Sequence, residues 1–190
     1  MHKRIRLNAA ALAGLLIILF FLIIAVFAPV IAPYDPKEMI ASYLPPSREH
    51  LLGTNDVGQD IFSEMVYGTR VSLYIGIFAA FIVTGVGTVL ALVSGYFGGV
   101  TDKIITAITN IAMAVPSLPL TVLLVAYLNP GKWSLIIAIS VTAWTGTARI
   151  LRSRVMQLKE LPFIKIEKTM GVHPVVILFK HILPNIKDII

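Results

Sequence analysis

The segment LNAAALAGLLIILFFLIIAVFAPVIAPY, residues 7–34, contains no charged side chain. A helix needs roughly 20 apolar residues to cross a hydrocarbon core of about 30 Å, so this run predicts a transmembrane helix. Three further charge-free runs follow, at residues 71–101, 104–131 and 133–148. The last is short, but Arg149 and Arg152 can extend it because their long side chains reach the headgroups. The sequence therefore predicts an all-α, polytopic integral membrane protein with about four transmembrane helices.

The composition excludes several classes of protein. Hydrophobic residues make up 57% of the chain, charged residues 14%, and the mean hydropathy is +0.85, whereas about a quarter of the residues in soluble domains are charged. The absence of cysteine excludes a disulfide framework and a thiolate metal site. The four histidines share no metal-ligand spacing, and no nucleophile–base arrangement or nucleotide-binding loop is present. We therefore predict no catalytic, metal-binding or cofactor-binding residue in this chain.

The basic residues are unevenly distributed around the predicted spans. With a cytoplasmic N-terminus, 12 of the 16 Lys and Arg residues lie on the cytoplasmic side, in agreement with the positive-inside rule. The net charge of +6 therefore reflects topology, and no nucleic-acid partner is predicted. The first apolar run is longer than the 7–15 residues of a signal-peptide core, so we interpret it as a retained anchor.

These patterns divide the chain into three parts. Residues 1–32 form a cytoplasmic tip and the first anchor, residues 33–70 an extracytoplasmic loop, and residues 71–190 a core of spans two to four with a cytoplasmic loop at 149–185. Near the end of the first loop, an apolar stripe predicts an interfacial helix along the membrane surface, with Ile61, Met65, Val66 and Leu73 on one face. The sequence leaves open whether the extracytoplasmic loop is a solvated linker or a docking surface for an external protein.

Small residues recur at intervals of four in the second span. One series comprises Gly76, Ala80, Thr84 and Thr88, and the other comprises Gly87, Ala91 and Gly95. Such spacing lets helix backbones approach closely in lipid. We interpret both series as helix-packing surfaces, including packing against a second membrane subunit.

The third span contains AVPSLPL, residues 114–120, with two prolines in mid-membrane. Proline removes an intrahelical hydrogen bond, and a broken helix at membrane depth is tolerated where it is buried or lines a cavity. The sequence leaves open whether this break lines a transport path or is a simple packing kink. The candidate lining residues are Asn110, Pro116, Ser117 and Pro119. None of them is ionisable, so a proton relay is not predicted.

The stretch IKIEKTMGVHPVVILFKHILPN, residues 164–185, is too charged to cross a bilayer. It predicts two short helices that meet at Gly171, with Pro174 at the first position of the second helix. The predicted apolar face of the first helix carries Phe163, Ile166 and Met170. That of the second carries Val175, Leu178, Phe179 and Ile182.

Four segments in order resemble a known family. They are LLGTNDVGQDIFSEMVYGTRVSL (51–73), AVPSLPLTVLLVA (114–126), WTGTARILRSRVMQLKE (144–160) and MGVHPVVILFKHILPN (170–185). Together they resemble the permease subunits of ATP-binding-cassette importers, specifically the dipeptide, oligopeptide and nickel branch. The resemblance runs from about Lys3 to the last residues.

The resemblance implies a role for the terminal hairpin. In this family such a hairpin couples to the ATP-hydrolysing subunit and carries a glutamate and two alanines, with a glycine six residues after the glutamate. Here Lys165, Ile166 and Glu167 stand at the triplet, so a lysine replaces the expected carboxylate. The implied coupling residues are Phe163, Lys165, Ile166, Glu167, Gly171, Pro174, Phe179, His181 and Pro184. The alternative is a hairpin that rests on the lipid headgroups.

The resemblance further implies a multi-pass subunit of a bacterial or archaeal cell membrane that imports peptides, with nickel as the second choice. Its partners would be cytoplasmic ATP-binding subunits, a second permease subunit, an extracytoplasmic solute-binding protein and the bilayer. Family members continue for two more spans, so the alternative is a truncated or degenerate permease that inserts without transporting. A self-contained channel or ion-coupled carrier would need membrane-embedded charges or an inverted repeat, and neither is evident.

Overall fold

The computed structural model describes residues 9–187. Its helices are α1 (Ala9–Ile31), α2 (Ile61–Phe97), α3 (Gly99–Ala114), α4 (Ser117–Tyr127), α5 (Lys132–Lys159), α6 (Pro162–Thr169) and α7 (Pro174–Ile186). Across this described range, the only β-type pairing is an isolated bridge between Thr54 and Asp60. The predicted all-α fold is confirmed.

Three helices, α1, α2 and α5, are each long and apolar enough to cross a membrane, and α3 with α4 forms a fourth, broken span. The two halves of this span meet at an angle of 85°. The break has a local cause, since Val115 and Pro116 are extended, with ψ values of 126° and 121°. A residue that precedes proline is disfavoured in the α region, and proline itself offers no N–H to the helix. The prolines therefore divide the third span rather than merely bend it.

The structure divides into two compact units within α2, the first ending at Tyr74 and the second beginning at Ile75. Helix α2 has 37 residues, which at 1.5 Å per residue corresponds to about 55 Å. Residues 61–70, predicted as an interfacial helix, are the first turns of this helix and continue into the span without a break. The predicted division at residues 32 and 70 stays a prediction.

The loop between α1 and α2, residues 32–60, is folded by side-chain and backbone hydrogen bonds. Asn55 Oδ1 accepts from the amides of Val57 and Gln59, at 3.0 and 2.9 Å, and Asn55 Nδ2 donates to Glu64 Oε2 at 2.9 Å. Gly53 has φ +75°, and a Cβ there would overlap the Leu44 carbonyl oxygen, so this turn requires glycine. The loop is thus held in a defined conformation by specific hydrogen bonds, although residues 37–49 are exposed.

A buried carboxylate, Asp60, lies at the centre of this loop. Its Oδ1 accepts from His50 Nδ1 at 3.0 Å and its Oδ2 from the Ser63 amide at 2.8 Å, while the Tyr34 ring packs on the His50 ring with centroids 4.7 Å apart. Burial acts most strongly on the pKa of Asp60 and raises it, but the hydrogen bonds from Ser63 and His50 together lower the pKa below its ordinary value. Asp60 is therefore ionised in the folded loop.

We expect Asp60→Ala to loosen the loop. The substitution removes the acceptor for two buried donors, so we expect the free energy of opening the loop to fall by about 2 kcal/mol. This corresponds to a roughly 30-fold faster amide exchange across residues 53–63, measured by hydrogen exchange at pH 7. The exposed neighbour Asp56 supplies the control, since Asp56→Ala should leave exchange unchanged. A carboxyl whose pKa is lower in the folded state stabilises that state at pH values above its ordinary pKa of about 4. The protection of the wild-type loop from exchange should therefore fall as the pH drops below about 4. Equal exchange in both variants would contradict this role.

The second unit is held together by close contact between α2 and α5. A Cβ on Gly87 would lie 2.7 Å from Thr147 Cβ, and one on Gly95 would lie 2.8 Å from Val155 Cβ. The two contacts advance together along both helices, so α2 and α5 run parallel, and Ala91 between them is buried. This small-residue series thus packs against another helix of the same chain.

Candidate functional site

The terminal hairpin, residues 162–186, is built by two prolines and one glycine. Pro162 and Pro174 stand at the first helical positions of α6 and α7, where a missing N–H costs nothing. Helix α6 ends in a Schellman turn, in which the Val172 amide donates to the Glu167 carbonyl at 3.0 Å and the Gly171 amide to the Lys168 carbonyl at 3.2 Å. Gly171 has φ +77°, as its predicted turn position requires.

The first predicted apolar face of the hairpin lies on its outside. Phe163, Ile166 and Met170 are 44%, 56% and 76% exposed, whereas Ile164 between them is buried. Ile164 belongs to a core cluster contributed by α2, α5, α6 and α7. Residues three apart share a face of a helix, so burying Ile164 turns its apolar neighbours away from this core.

The second predicted face is divided by a π-helical turn at Leu178–Ile182. Leu178 and Ile182 are buried as expected, but Val175 and Phe179 are exposed. The Leu183 amide bonds to the Leu178 carbonyl, five residues back, which widens the helix just before Pro184. Because Pro184 has no N–H, this turn accommodates the proline inside α7, and the buried face becomes Ile177, Leu178, Ile182 and Ile186.

A second candidate region is an open cavity of about 600 Å³ between the α3–α4 break and α5. Of the predicted lining residues, Pro116 and Ser117 face this cavity. Its walls carry no charged side chain among the described residues, and they include Thr121, Thr142, Thr145 and Gly146. Of these, Thr142, Thr145 and Gly146 were not predicted from the sequence, although small and hydroxyl residues cluster in VTAWTGTA, residues 141–148.

The other two predicted lining residues are not among the walls of this cavity. Asn110 Oδ1 accepts from Arg149 Nη2 at 2.7 Å, and it borders a smaller cavity with Ser94, Thr109 and Arg152. Pro119 lies in the first turns of α4.

Arg149 and Arg152, which were predicted to reach the headgroups, both bind side chains of α3. Arg149 donates to Asn110, and Arg152 Nε and Nη2 donate to the two carboxylate oxygens of Asp102, at 2.5 and 2.6 Å. A bidentate pair of this kind combines charge with a fixed geometry. The first turn of α3 and the second half of α5 are therefore linked by side chains that are 50 residues apart in sequence.

The sequence of the chain matches two family models. Residues 87–190, more than half of the chain, match the model described as binding-protein-dependent transport system inner membrane component. The chain belongs to this family. Residues 1–46 match a second model, the N-terminal transmembrane domain of oligopeptide transport permease C. The predicted family is confirmed.

Three curated relatives illustrate the similarity of this inner membrane component. It is 40% identical over 184 residues to the oligopeptide transport system permease protein OppC of Bacillus subtilis, covering 96% of the chain and 60% of that protein. It is 37% identical over 185 residues to the dipeptide transport system permease protein DppC of Bacillus subtilis, covering 96% and 58%. It is 35% identical over 187 residues to the glutathione transport system permease protein GsiD of Pectobacterium atrosepticum, covering 97% and 62%. The chain therefore spans about three fifths of the length of these relatives.

Family membership and the apolar helices together identify a multi-pass protein of the cell membrane. In the described range no group of three His, Asp or Glu side chains could hold a metal ion.

The hairpin of this inner membrane component carries its charges on two opposite sides. Lys165 Nζ bonds to Glu160 Oε2 at 2.9 Å, with both side chains more than half exposed. This hydrogen bond is the main cause of the lowered pKa of Glu160. Glu167 Oε1 instead lies 2.9 Å from His181 Nε2, with both side chains about three quarters buried. Residues two apart point to opposite sides of a helix, so Lys165 faces outward while Glu167 faces inward.

Proposed function

We propose that this chain acts as the membrane-spanning permease subunit of an ATP-driven importer. The observation that carries the proposal is the terminal hairpin, whose Schellman turn fixes two helices over the end of the membrane core. One side of the hairpin shares that core, and the other offers Phe163, Ile166 and Met170 to a partner. An exposed apolar face on a rigid element is a suitable docking surface for an ATP-binding subunit.

Shared packing supports transmission of movement from the hairpin to the spans. Ile164 of α6 and Ile177 of α7 lie in the same cluster as Leu92 of α2 and Leu151 of α5. Closely packed interiors move as bodies and do not deform continuously. A displacement of the hairpin by ATP binding to the partner would therefore shift α2 and α5 together, which is the two-state response that alternating access needs.

The α3–α4 break is our proposed part of the solute path. Interrupted helices at membrane depth are tolerated where they line a cavity, and they often form transport sites. The uncharged walls, with their hydroxyl groups, offer hydrogen bonds without a fixed charge. Thr121 and Thr142 meet across this cavity at 3.5 Å.

We propose a peptide as the solute, because the relatives described above are named as oligopeptide, dipeptide and glutathione permeases. Nickel remains our second choice. The remaining partners are a second permease subunit and an extracytoplasmic solute-binding protein, for which the folded α1–α2 loop is a docking candidate. ATP hydrolysis is assigned to the partner subunits, and the N-terminus to the cytoplasm by the positive-inside rule.

Cross-linking from the hairpin tests the docking proposal. The chain has no cysteine, so Met170→Cys carries a single benzophenone label at a position that is 76% exposed. In membranes that contain the ATP-binding subunits, we expect the label to cross-link to one of them. The control is Val26→Cys, which is 66% exposed on the first anchor and should cross-link at least tenfold less to these subunits. Labelling of lipid alone from Met170→Cys would refute the coupling role.

A further inference from the structure

Two buried polar atoms near the base of the hairpin have no hydrogen-bond partner: the Tyr96 hydroxyl and Glu167 Oε2. Tyr96 lies in the last turn of α2 and is 3% exposed, whereas Glu167 lies on α6. Helix α6 packs against this end of α2, because Tyr96 and Ile164 belong to one buried cluster and Lys168 Nζ approaches the Tyr96 ring. A hydroxyl that can donate and a carboxylate oxygen that can only accept are thus both buried where α6 packs against the end of α2.

The remaining contacts of these side chains surround the same point. Glu167 Oε1 pairs with His181 Nε2 of α7 at 2.9 Å. The Phe163 ring packs edge-on against the His181 ring, with centroids 6.1 Å apart, and Lys168 Nζ lies 5.3 Å from the centroid of the Tyr96 ring. Side chains of α2, α6 and α7 therefore pack together around α6.

The chemistry of the two unpartnered atoms decides how they are satisfied. Buried polar groups in native proteins are hydrogen-bonded in the great majority of cases, and an unpartnered one is costly. One carboxylate has enough lone pairs for two donors. The His181 ring occupies one oxygen, and the Tyr96 O–H is the neighbouring donor that can occupy the other.

We propose that Glu167 is a positioning residue that clamps the terminal hairpin to the end of α2. Its carboxylate accepts from His181 through Oε1 and from the Tyr96 hydroxyl through Oε2. The clamp joins α6 to α7 and to the last turn of α2. Its consequence for transport, that α2 and the hairpin move as one body, rests on the proposed function, but the clamp itself does not.

Distance measurements between spin labels test the clamp in the full chain without any partner. One pair is placed at Val100 and Met170, which are 71% and 76% exposed, to report on the hairpin. A second pair at Ile108 and Ile150, 53% and 61% exposed, reports on the α3–α5 contact. The cysteine-free sequence allows both pairs to be introduced without other changes.

We expect Glu167→Ala to widen the distance distribution of the hairpin pair at least twofold, and Tyr96→Phe to widen it as well. Glu167→Gln, whose amide retains one acceptor and gains a donor, should largely restore the narrow distribution. The α3–α5 pair should stay narrow throughout, which separates loss of the clamp from unfolding. Glu160→Ala is the matched control, because it removes only the exposed partner of Lys165.

An unchanged width of the hairpin pair in either Glu167→Ala or Tyr96→Phe overturns the proposal, as does equal widening of both label pairs. Because no ATP-binding subunit takes part, failure here leaves the cross-linking result and the proposed function intact. Conversely, failure of the cross-link to form leaves the clamp intact.

Discussion

Gly171→Val should abolish recovery of the ATP-binding subunits with the permease, by at least tenfold in a pull-down, while membrane insertion stays intact. Gly171 has φ +77°, a conformation in which a β-branched residue is strained by about 2–3 kcal/mol. The two hydrogen bonds of the Schellman turn depend on that conformation. We expect valine to open the turn, change the angle between α6 and α7, and remove the docking face formed by Phe163, Ile166 and Met170.

Gly171→Asn is the matched control, because asparagine tolerates the left-handed region far better than valine does. A Cβ at this position would have no atom within 4 Å. A steric clash therefore cannot explain a difference between the two variants, which must come from backbone strain at positive φ. We expect the asparagine variant to retain most of the association. Undiminished recovery of the ATP-binding subunits with Gly171→Val would contradict the assignment of the hairpin as their docking element.

Gly87→Leu should separate α2 from α5 and cost about 3 kcal/mol or more of unfolding free energy. Even the first side-chain atom would lie 2.7 Å from Thr147 Cβ and 3.1 Å from the Ala148 amide nitrogen. Neither of these is the far end of a flexible side chain, so the backbones must move apart. The loss is measurable as a lower Tm in detergent, followed by tryptophan fluorescence from Trp133 and Trp144 on α5.

The control is Gly85→Leu, on the same helix and only two residues away. A Cβ on Gly85 would meet no atom within 4 Å, and leucine is a better helix former than glycine by up to about 1 kcal/mol. The control variant should therefore be as stable as the wild type or slightly more so. If both substitutions lower the Tm equally, the contact between α2 and α5 does not depend on Gly87.

The membrane spans and the hairpin turn were predictable from sequence because each depends on a local rule. A charge-free run of sufficient length specifies a span wherever it occurs, as in α1 and α2. The positive φ of Gly171 and the first-turn position of Pro174 follow from the conformational limits of single residues. The prolines at 116 and 119 predicted a distortion, but neither the size of the angle between α3 and α4, 85°, nor the packing of α4 against α5.

The faces of short helices were harder to predict because their burial depends on neighbours. Helix α6 has eight residues, so a periodic pattern over it is weak, and burial of Ile164 reversed the expected side. In α7 the π turn shifted the buried positions part-way along the helix. A regular period cannot anticipate such a shift, since Pro184 is accommodated only by widening the helix in its packed environment.

The sequence by itself determined that this protein is helical, is membrane-embedded and carries a glycine-centred hairpin, because composition and single-residue conformational preferences act locally. Only the tertiary structure decided which partners the side chains have. Arg152 binds Asp102, Gly87 packs against Thr147, and Glu167 lies against His181. These partners are distant along the chain, and packing in three dimensions brings them together.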